Sequence, residues 1–329
     1  MSVWESRKLS LPDGRTVDAV MPVIISASRS TDIPAFHMPW LMKQLANGWC
    51  RWTNPFNNTP QYVAFDRARV FVFWSKNPAP LIPHLDEFDR KGIGYYVQFT
   101  LNDYEQEGLE PGVPPLLQRI GTFRELSQRI GREKVIWRYD PIMVSDRLSL
   151  AGLLDRLERV GDLLHPYTGK LVVSFADIST YAKVRRNLDR TGQSWRELTA
   201  EEMEECAGRV SALAGKWGLQ AATCAETVDL SRFGITHNRC IDDELMKRLF
   251  AGDRELMRFL GADAGEQQAL FAAPRIRKPG SLKDKGQRKA CGCIVSKDIG
   301  MYNTCPHLCR YCYANVSEEA VRSRLATMD

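Results

Sequence analysis

Five of the nine cysteines crowd into the 22 residues from Cys291 to Cys312. The last three lie in Asn303-Thr304-Cys305-Pro306-His307-Leu308-Cys309-Arg310-Tyr311-Cys312-Tyr313-Ala314-Asn315, with the spacing C-x3-C-x2-C. Three thiolates on one short loop suit three irons of a four-iron, four-sulfur cubane. The fourth iron is then open to a ligand that is not protein, which makes the cluster a reagent rather than a pure electron carrier. The competing reading is a structural zinc ion on Cys305, Cys309 and Cys312, with His307 or Cys293 as fourth ligand. Zinc knuckles usually come as two C-x2-C halves, and no second half matches here, so the spacing favours the cluster.

A second group is built from scattered positions. Cys291-Gly292-Cys293 stands 12 residues before Cys305, and two cysteines so spaced can share one metal. Cys224, at the end of a predicted strand, and Cys240, in Thr236-His237-Asn238-Arg239-Cys240-Ile241-Asp242, complete a set of four. A zinc site using His237 competes with that set, and Cys224 also reads as an ordinary small buried residue. Cys50 and Cys206 read as core residues.

These side chains need a scaffold. Short apolar runs of strand type at 23–28, 70–74, 95–101, 134–139, 171–175 and 219–224 alternate with helical patterns at 37–46, 81–91, 114–130, 148–164 and 200–216. Leu116, Leu117, Ile120, Phe123 and Leu126 form the expected apolar stripe of the third helix. Further helices are expected at 242–260 and 318–328, and 49–65 carries Asn-Pro and Asn-Asn turn signals of a loop or hairpin. Alternation of this kind means parallel strands with helical crossovers. The expected fold is α/β, a (β/α) TIM-type barrel, complete or partial. A doubly wound sheet ranks second, because no G-x-G-x-x-G follows the first strand. The expected divisions are a barrel over 1–240, a helical and basic linker over 241–290, and a cluster-binding segment over 291–329 packed on the barrel mouth.

In either fold ligands gather at the C-terminal strand ends. Arg29, Ser30, Thr31 and Asp32, Ser75, Lys76 and Asn77, Asn102 and Asp103, Arg138 and Asp140, Ser174 and Asp177, and Glu226 fall there. Asp32 and Asp103 also suit helix caps. Arg138 and Lys76 need partners if buried. Arg29, Asp32, Lys76, Asn102 and Arg138 are the candidate catalytic set, expected to line one cavity.

The C-x3-C-x-aromatic-C run resembles the signature of the radical S-adenosylmethionine (SAM) superfamily, and Cys-Arg-Tyr-Cys-Tyr looks especially like spore photoproduct lyase and related members. The resemblance implies a four-iron, four-sulfur cluster on Cys305, Cys309 and Cys312, with SAM chelated at the open iron. Tyr311 matches the aromatic position near the adenine. The implied reaction is reductive cleavage of SAM to a 5′-deoxyadenosyl radical that abstracts hydrogen from a substrate. It also implies an electron donor such as flavodoxin or ferredoxin, and auxiliary clusters of the kind Cys224, Cys240, Cys291 and Cys293 would hold. The whole chain resembles, besides, an uncharacterised bacterial family with such a cysteine cluster at its C-terminus. That likeness rests on Ile24-Ile25-Ser26-Ala27-Ser28-Arg29, Phe73-Trp74-Ser75-Lys76-Asn77-Pro78, Arg138-Tyr139-Asp140-Pro141 and Cys291 to Asn315.

The superfamily motif normally follows the first barrel strand, whereas here it follows the last. A circular permutation would make 294–296 the first strand and 23–28 the second. Asp32 would then supply the acid that holds the SAM amino group, without the usual glycines. Alternatively, 23–28 stays first and the tail folds back over the mouth.

Charge adds little. The net charge is +5, and Arg275, Arg277, Lys278, Lys283, Lys285, Arg288 and Lys289 face only Asp284 in the stretch 275–289. Such a segment can meet phosphates, but it holds no aromatic residue to stack on bases, so nucleic acid is not the favoured partner. The alternative to the enzyme is a zinc-stabilised, non-catalytic nucleic-acid-binding barrel. No signal-peptide core or transmembrane run occurs, so the expected location is the cytoplasm, with no membrane partner.

Overall fold

Runs such as Val-Phe-Val-Phe-Trp-Ser and Lys-Leu-Val-Val-Ser-Phe are apolar on both faces, as a parallel sheet covered on both sides requires. The computed structural model describes residues 3–55, 57–262 and 282–327. The chain opens with the hairpin β1 (Glu5–Ser10) and β2 (Thr16–Met21), then β3 (Ile24–Ala27), α1 (Ile33–Phe36) and α2 (Met38–Asn47). A second hairpin, β4 (Trp49–Thr53) and β5 (Pro60–Ala64), precedes β6 (Val70–Ser75), α3 (Leu85–Arg90), β7 (Gly94–Thr100), α4 (Leu116–Ile130) and β8 (Val135–Ile142). Next come α5 (Leu150–Leu164), β9 (Lys170–Phe175), α6 (Ala182–Asp189), α7 (Ala200–Trp217), β10 (Gln220–Thr223) and β11 (Thr236–His237). The short helices α8 (Asp243–Leu249) and α9 (Arg254–Phe259), β12 (Lys297–Asp298) and α10 (Glu318–Leu325) complete the described elements.

Two sheets result. The small one has the order β1-β2-β5-β4, and the large one β11-β10-β9-β8-β7-β6-β3-β12, with every pair in it parallel. Strand order from β3 to β11 follows chain order without a reversal. The edges β11 and β12 are not paired with each other, so the sheet is open and a complete barrel is not formed.

Alternate residues of each strand enter different cores, as the period of two demands. Phe71, Phe73, Val97, Phe99, Trp137, Leu171 and Val173 pack under α2 to α5 and α7. Ile24, Val70, Val72, Tyr96, Ile136, Val172 and Ala222 share the opposite core with Leu245 and Met246 of α8, Leu256 and Met257 of α9, and Cys240, Cys291 and Cys293. The residues expected to be a linker thus begin with two helices that cover the sheet.

Several expectations need correcting. The region 242–260 is two helices, because Phe250 closes the first and the Asp253 carboxylate caps the second. Leu117 is 78% exposed, since it lies about 100° around the helix from Leu116, away from Ile120, Phe123 and Leu126. The region 49–65 is a hairpin, joined by the unexpected β1–β2 pair. Arg275, Arg277 and Lys278 of the basic stretch, and the end of the helix expected at 318–328, lie outside the described residues.

The tail returns to the start of the sheet. β12 pairs in parallel with β3, Lys297 opposite Ile25 and Asp298 opposite Ser26. The tail strand expected at 294–296 thus lies at 297–298. Asp298 Oδ2 accepts from Ser26 Oγ at 2.7 Å and from the Arg29 amide at 2.9 Å. The small sheet holds the same strand: Trp52 donates to Gly300 O at 2.8 Å, and Lys297 Nζ stands 3.5 Å from the Trp52 ring centre.

Burial lowers the Lys297 amine to about 8, with Asp298 opposing. The unfolded chain therefore binds more protons than the folded one between pH 8 and 10.5, and stability rises with pH through that window. Allowing for partial exposure, wild type should gain roughly 1–3 kcal/mol on Lys297→Met across it. Urea unfolding of both proteins over this range measures the gain; a constant difference between them refutes it.

Candidate functional site at the C-terminal strand ends

Asp32 follows β3 and connects three parts of the chain. Its Oδ1 caps α1 through the Ala35 amide at 2.9 Å and accepts from Ser75 Oγ at 2.7 Å. Its Oδ2 accepts from the Lys76 amide and from His307 Nε2, each at 2.8 Å. The helix cap expected at Asp32 is therefore present, together with a link to the cysteine loop. His307 Nδ1 faces Gly112 O at 3.0 Å. Both ring nitrogens are engaged by these oxygens. Neither nitrogen is left for a metal, so His307 does not serve as the fourth zinc ligand.

A buried charge cluster lies beside this hub. Glu110 Oε1 is 2.9 Å from Lys76 Nζ and 3.0 Å from Asn102 Nδ2, and it accepts from the Tyr311 hydroxyl. Arg119 Nη1 stands 3.9 Å from the other oxygen. Burial pushes the Glu110 carboxyl up, but Lys76, Arg119 and the Tyr311 hydroxyl outweigh it and hold the group below its ordinary value. Burial pulls the Lys76 amine down, and Glu110 more than restores it. Both stay charged, as a buried pair with hydrogen-bonded partners can. Sequence reading missed Glu110. Its only signal is a stiff Pro/Gly-rich stretch, Leu109 to Pro115, just after a strand.

That stretch seats the cysteine loop. Arg310 N donates to Leu109 O at 2.8 Å, and Gly112 N to His307 O at 2.9 Å. Within the loop, Cys312 N donates to Cys309 O at 3.0 Å, and Asn315 Nδ2 to Cys305 O at 2.8 Å. Burial pushes the Cys305 thiol up to about 12, with Asp32 and Cys312 adding to it. Burial also raises Cys309 well above its usual value; Lys76 opposes this, while Glu110, Cys305 and Cys312 add to it. The three thiols therefore lie within electrostatic reach of one another, Cys309 also of Lys76 and Glu110 and Cys305 of Asp32. Unliganded, Cys305 and Cys309 are protonated at neutral pH, and a cation would be needed to hold them as thiolates.

The other four cysteines also converge. Cys224 Sγ is 3.5 Å from Cys240 Sγ, while Cys293 Sγ accepts from the amides of Cys240 at 3.2 Å and Ile241 at 3.4 Å. Hydrogen bonding with Cys293 brings Cys291 down to about 7. Arg138 Nη1 lies 3.0 Å from Cys240 Sγ and pairs with Asp140. His237 is exposed on β11, so it does not replace a thiol in this buried group.

The five polar candidates thus divide. Asp32, Lys76 and Asn102 adjoin Cys305–Cys312, while Arg29 and Arg138 adjoin the group of four. The two sets are connected: Arg138 pairs with Asp140, which also acts on Lys76, the Asp140 amide donates to Asn102 Oδ1 at 2.8 Å, and Asn102 donates to Glu110. A cavity of about 270 Å³ opens at the other ends of the strands, lined by Arg132, Lys170, Gln220 and Arg248 among others. Among the described residues, no three or more His, Cys, Asp or Glu side chains form, as placed, a group able to hold a metal ion. A cluster takes one thiolate per iron, so its ligands need not meet around a single ion.

Fold and site define an α/β protein in which a cysteine-rich tail caps the C-terminal ends of a parallel sheet. Residues 24–314 match the family described as Domain of unknown function (DUF1848), and the chain belongs to that family. No curated protein matches it. Among solved structures, it is similar to a candidate alpha-L-fucosidase from Bacteroides thetaiotaomicron VPI-5482. The identity is 11%, the match covers 59% of this chain and 82% of that one, and the TM-score is 0.28. No helix among the described residues is long and apolar enough to cross a membrane.

Gly112 tests the seat of the loop. A Cβ there would stand 2.3 Å from Pro306 O and 2.9 Å from His307 Cα, both backbone atoms. Gly112→Ala should destabilise the protein by roughly 1–3 kcal/mol. It should also speed alkylation of buried Cys309, followed by mass spectrometry of the reduced protein. Unchanged labelling would mean that the stretch from Leu109 to Pro115 does not hold the cysteines in place.

Proposed function

We propose that this protein is a radical SAM-type enzyme built on a permuted, partial (β/α) barrel. The observation that carries the reading is the parallel pairing of β12 with β3. With β12 counted first, the strand order is continuous from edge to edge, and the C-x3-C-x2-C loop follows the first strand. That is where the superfamily's motif belongs. A partial barrel is further supported by the second core, in which two short helices and the cysteines meet inward residues of six strands.

The donor set fits an iron–sulfur cluster with one open iron: three neighbouring thiols, no fourth protein ligand at His307, and a lysine beside Cys309. When bound, the cluster supplies one electron that breaks the S–C5′ bond of SAM, releasing methionine and a 5′-deoxyadenosyl radical that takes hydrogen from the substrate. A flavodoxin- or ferredoxin-type donor would provide that electron.

The chain's own residues prepare the place. Lys76 offsets negative charge beside Cys309, and its ammonium stands 5.4 Å from the Tyr311 ring centre. Glu110 keeps Lys76 charged and engages the Tyr311 hydroxyl, leaving the Tyr311 ring as a surface for the adenine. Both Asp32 oxygens already accept two hydrogen bonds. We therefore assign Asp32 to positioning the loop through His307 rather than to holding the SAM amino group. The helices and the tail around Cys309 exclude water that would quench a radical.

Anaerobic reconstitution with iron and sulfide, followed by dithionite and SAM, tests the reading. Wild type should be brown and form 5′-deoxyadenosine, and Cys305→Ala, Cys309→Ala or Cys312→Ala should each reduce formation at least a hundredfold. Product from the triple variant would sink the assignment. A colourless, zinc-loaded wild type would favour the non-catalytic alternative.

A further inference from the structure

Arg29 and Arg138 approach the four-cysteine group from two strand ends, and they are partnered differently there. Arg138 has Asp140 as its carboxylate partner. Arg29 Nη2 is sealed from solvent and has no hydrogen-bond partner. Asp298 and Asp284 act on it only through space, and Asp298 gives its Oδ2 to the Arg29 backbone amide and to Ser26. The Arg29 guanidinium instead lies 5.1 Å from the Trp74 ring centre, in electrostatic reach of Cys293 and Cys240. A sealed donor without a partner is costly, and a neutral thiol is a weak acceptor for it.

The donors aimed at sulfur tell the same story. Cys240 Sγ faces Arg138 Nη1 at 3.0 Å and Asn238 Nδ2 at 3.4 Å. Cys293 Sγ faces two backbone amides. Four N–H groups on two sulfurs are excessive for weakly accepting thiols, but suit thiolates bound to a metal.

We propose that Cys224, Cys240, Cys291 and Cys293 bind a second metal centre, closed by four thiolates and carrying two net negative charges. A divalent ion of the zinc class and a four-iron, four-sulfur cluster have that net charge alike, and the dianion gives the Arg29 guanidinium a counter-ion and adds to Asp140 at Arg138. With four protein ligands it has no open position, so it neither binds substrate nor cleaves SAM. Cys224 follows β10, Cys240 follows β11, and Cys291 and Cys293 lead into β12, so the centre ties both edges of the large sheet together. It does not depend on the function proposed for Cys305, Cys309 and Cys312.

The test uses the full chain with Cys305, Cys309 and Cys312 changed to Ala, so that failure of the first site cannot be mistaken for failure of the second. It is loaded anaerobically in two arms, iron with sulfide or zinc alone, and desalted. About four irons with sulfide, or about one zinc, should remain per chain. The first result identifies a cluster and the second a single ion. Adding Cys240→Ser and Cys293→Ser should lower retained metal at least tenfold, and Arg29→Gln should speed its loss to a chelator severalfold. In wild type, alkylation should spare these four thiols until a chelator is added, a readout that needs no variant to fold. A triple variant that retains no metal in either arm, or metal that survives loss of Cys240 and Cys293, overturns the proposal.

Discussion

Two residue pairs between β12 and β3 decide where the cysteines act. The strand is minimal, but Asp298 adds two hydrogen bonds across it, and Trp52 and Lys297 bind it to the small sheet. Without that join the tail would have no fixed relation to the strand ends. With it, the chain's last segment becomes the neighbour of β3, the first strand of the large sheet in chain order, and the cysteine loop comes to lie against Asp32, Lys76 and Glu110.

Burying this tail imposes a second constraint, because the charges it covers must be matched. Asp32 meets His307, Lys76 meets Glu110, and Arg138 meets Asp140. These pairs are partly linked through Asn102, which contacts Asp140 and Glu110 as well as Tyr311. The polar groups between the two cysteine groups therefore form one connected layer. A change at Asn102 would be felt at both, since it would leave buried partners unsatisfied on each side.

Much of this was legible in the chain before folding. The six core strands were expected within a few residues, because a parallel strand buried on both faces must be a short apolar run between turn signals. The convergence of Cys224 and Cys240 with Cys291 and Cys293 was also expected, from their residue type, the C-x-C spacing of the last two and the place of Cys224 at a strand end. The first hairpin was missed because Glu5–Ser10 and Thr16–Met21 are polar on one side and too short to stand out. The single helix expected at 242–260 ignored Asp253, whose capping carboxylate starts a new helix in mid-pattern.

Sequence alone determined the spacing of the thiols and the places of the core strands along the chain. These depend on neighbours a few residues apart, where the geometry of a loop or a strand is already set by residue type. Only the tertiary structure decided which side chains meet. Glu110 became central because a Pro/Gly-rich loop folds against a tail about two hundred residues away. Arg138 came to Cys240 and Lys76 to Glu110 because the segments after different strands fold against different parts of the chain. Such meetings follow from sheet order and from the need to pair every buried charge, and no local pattern in the chain records either.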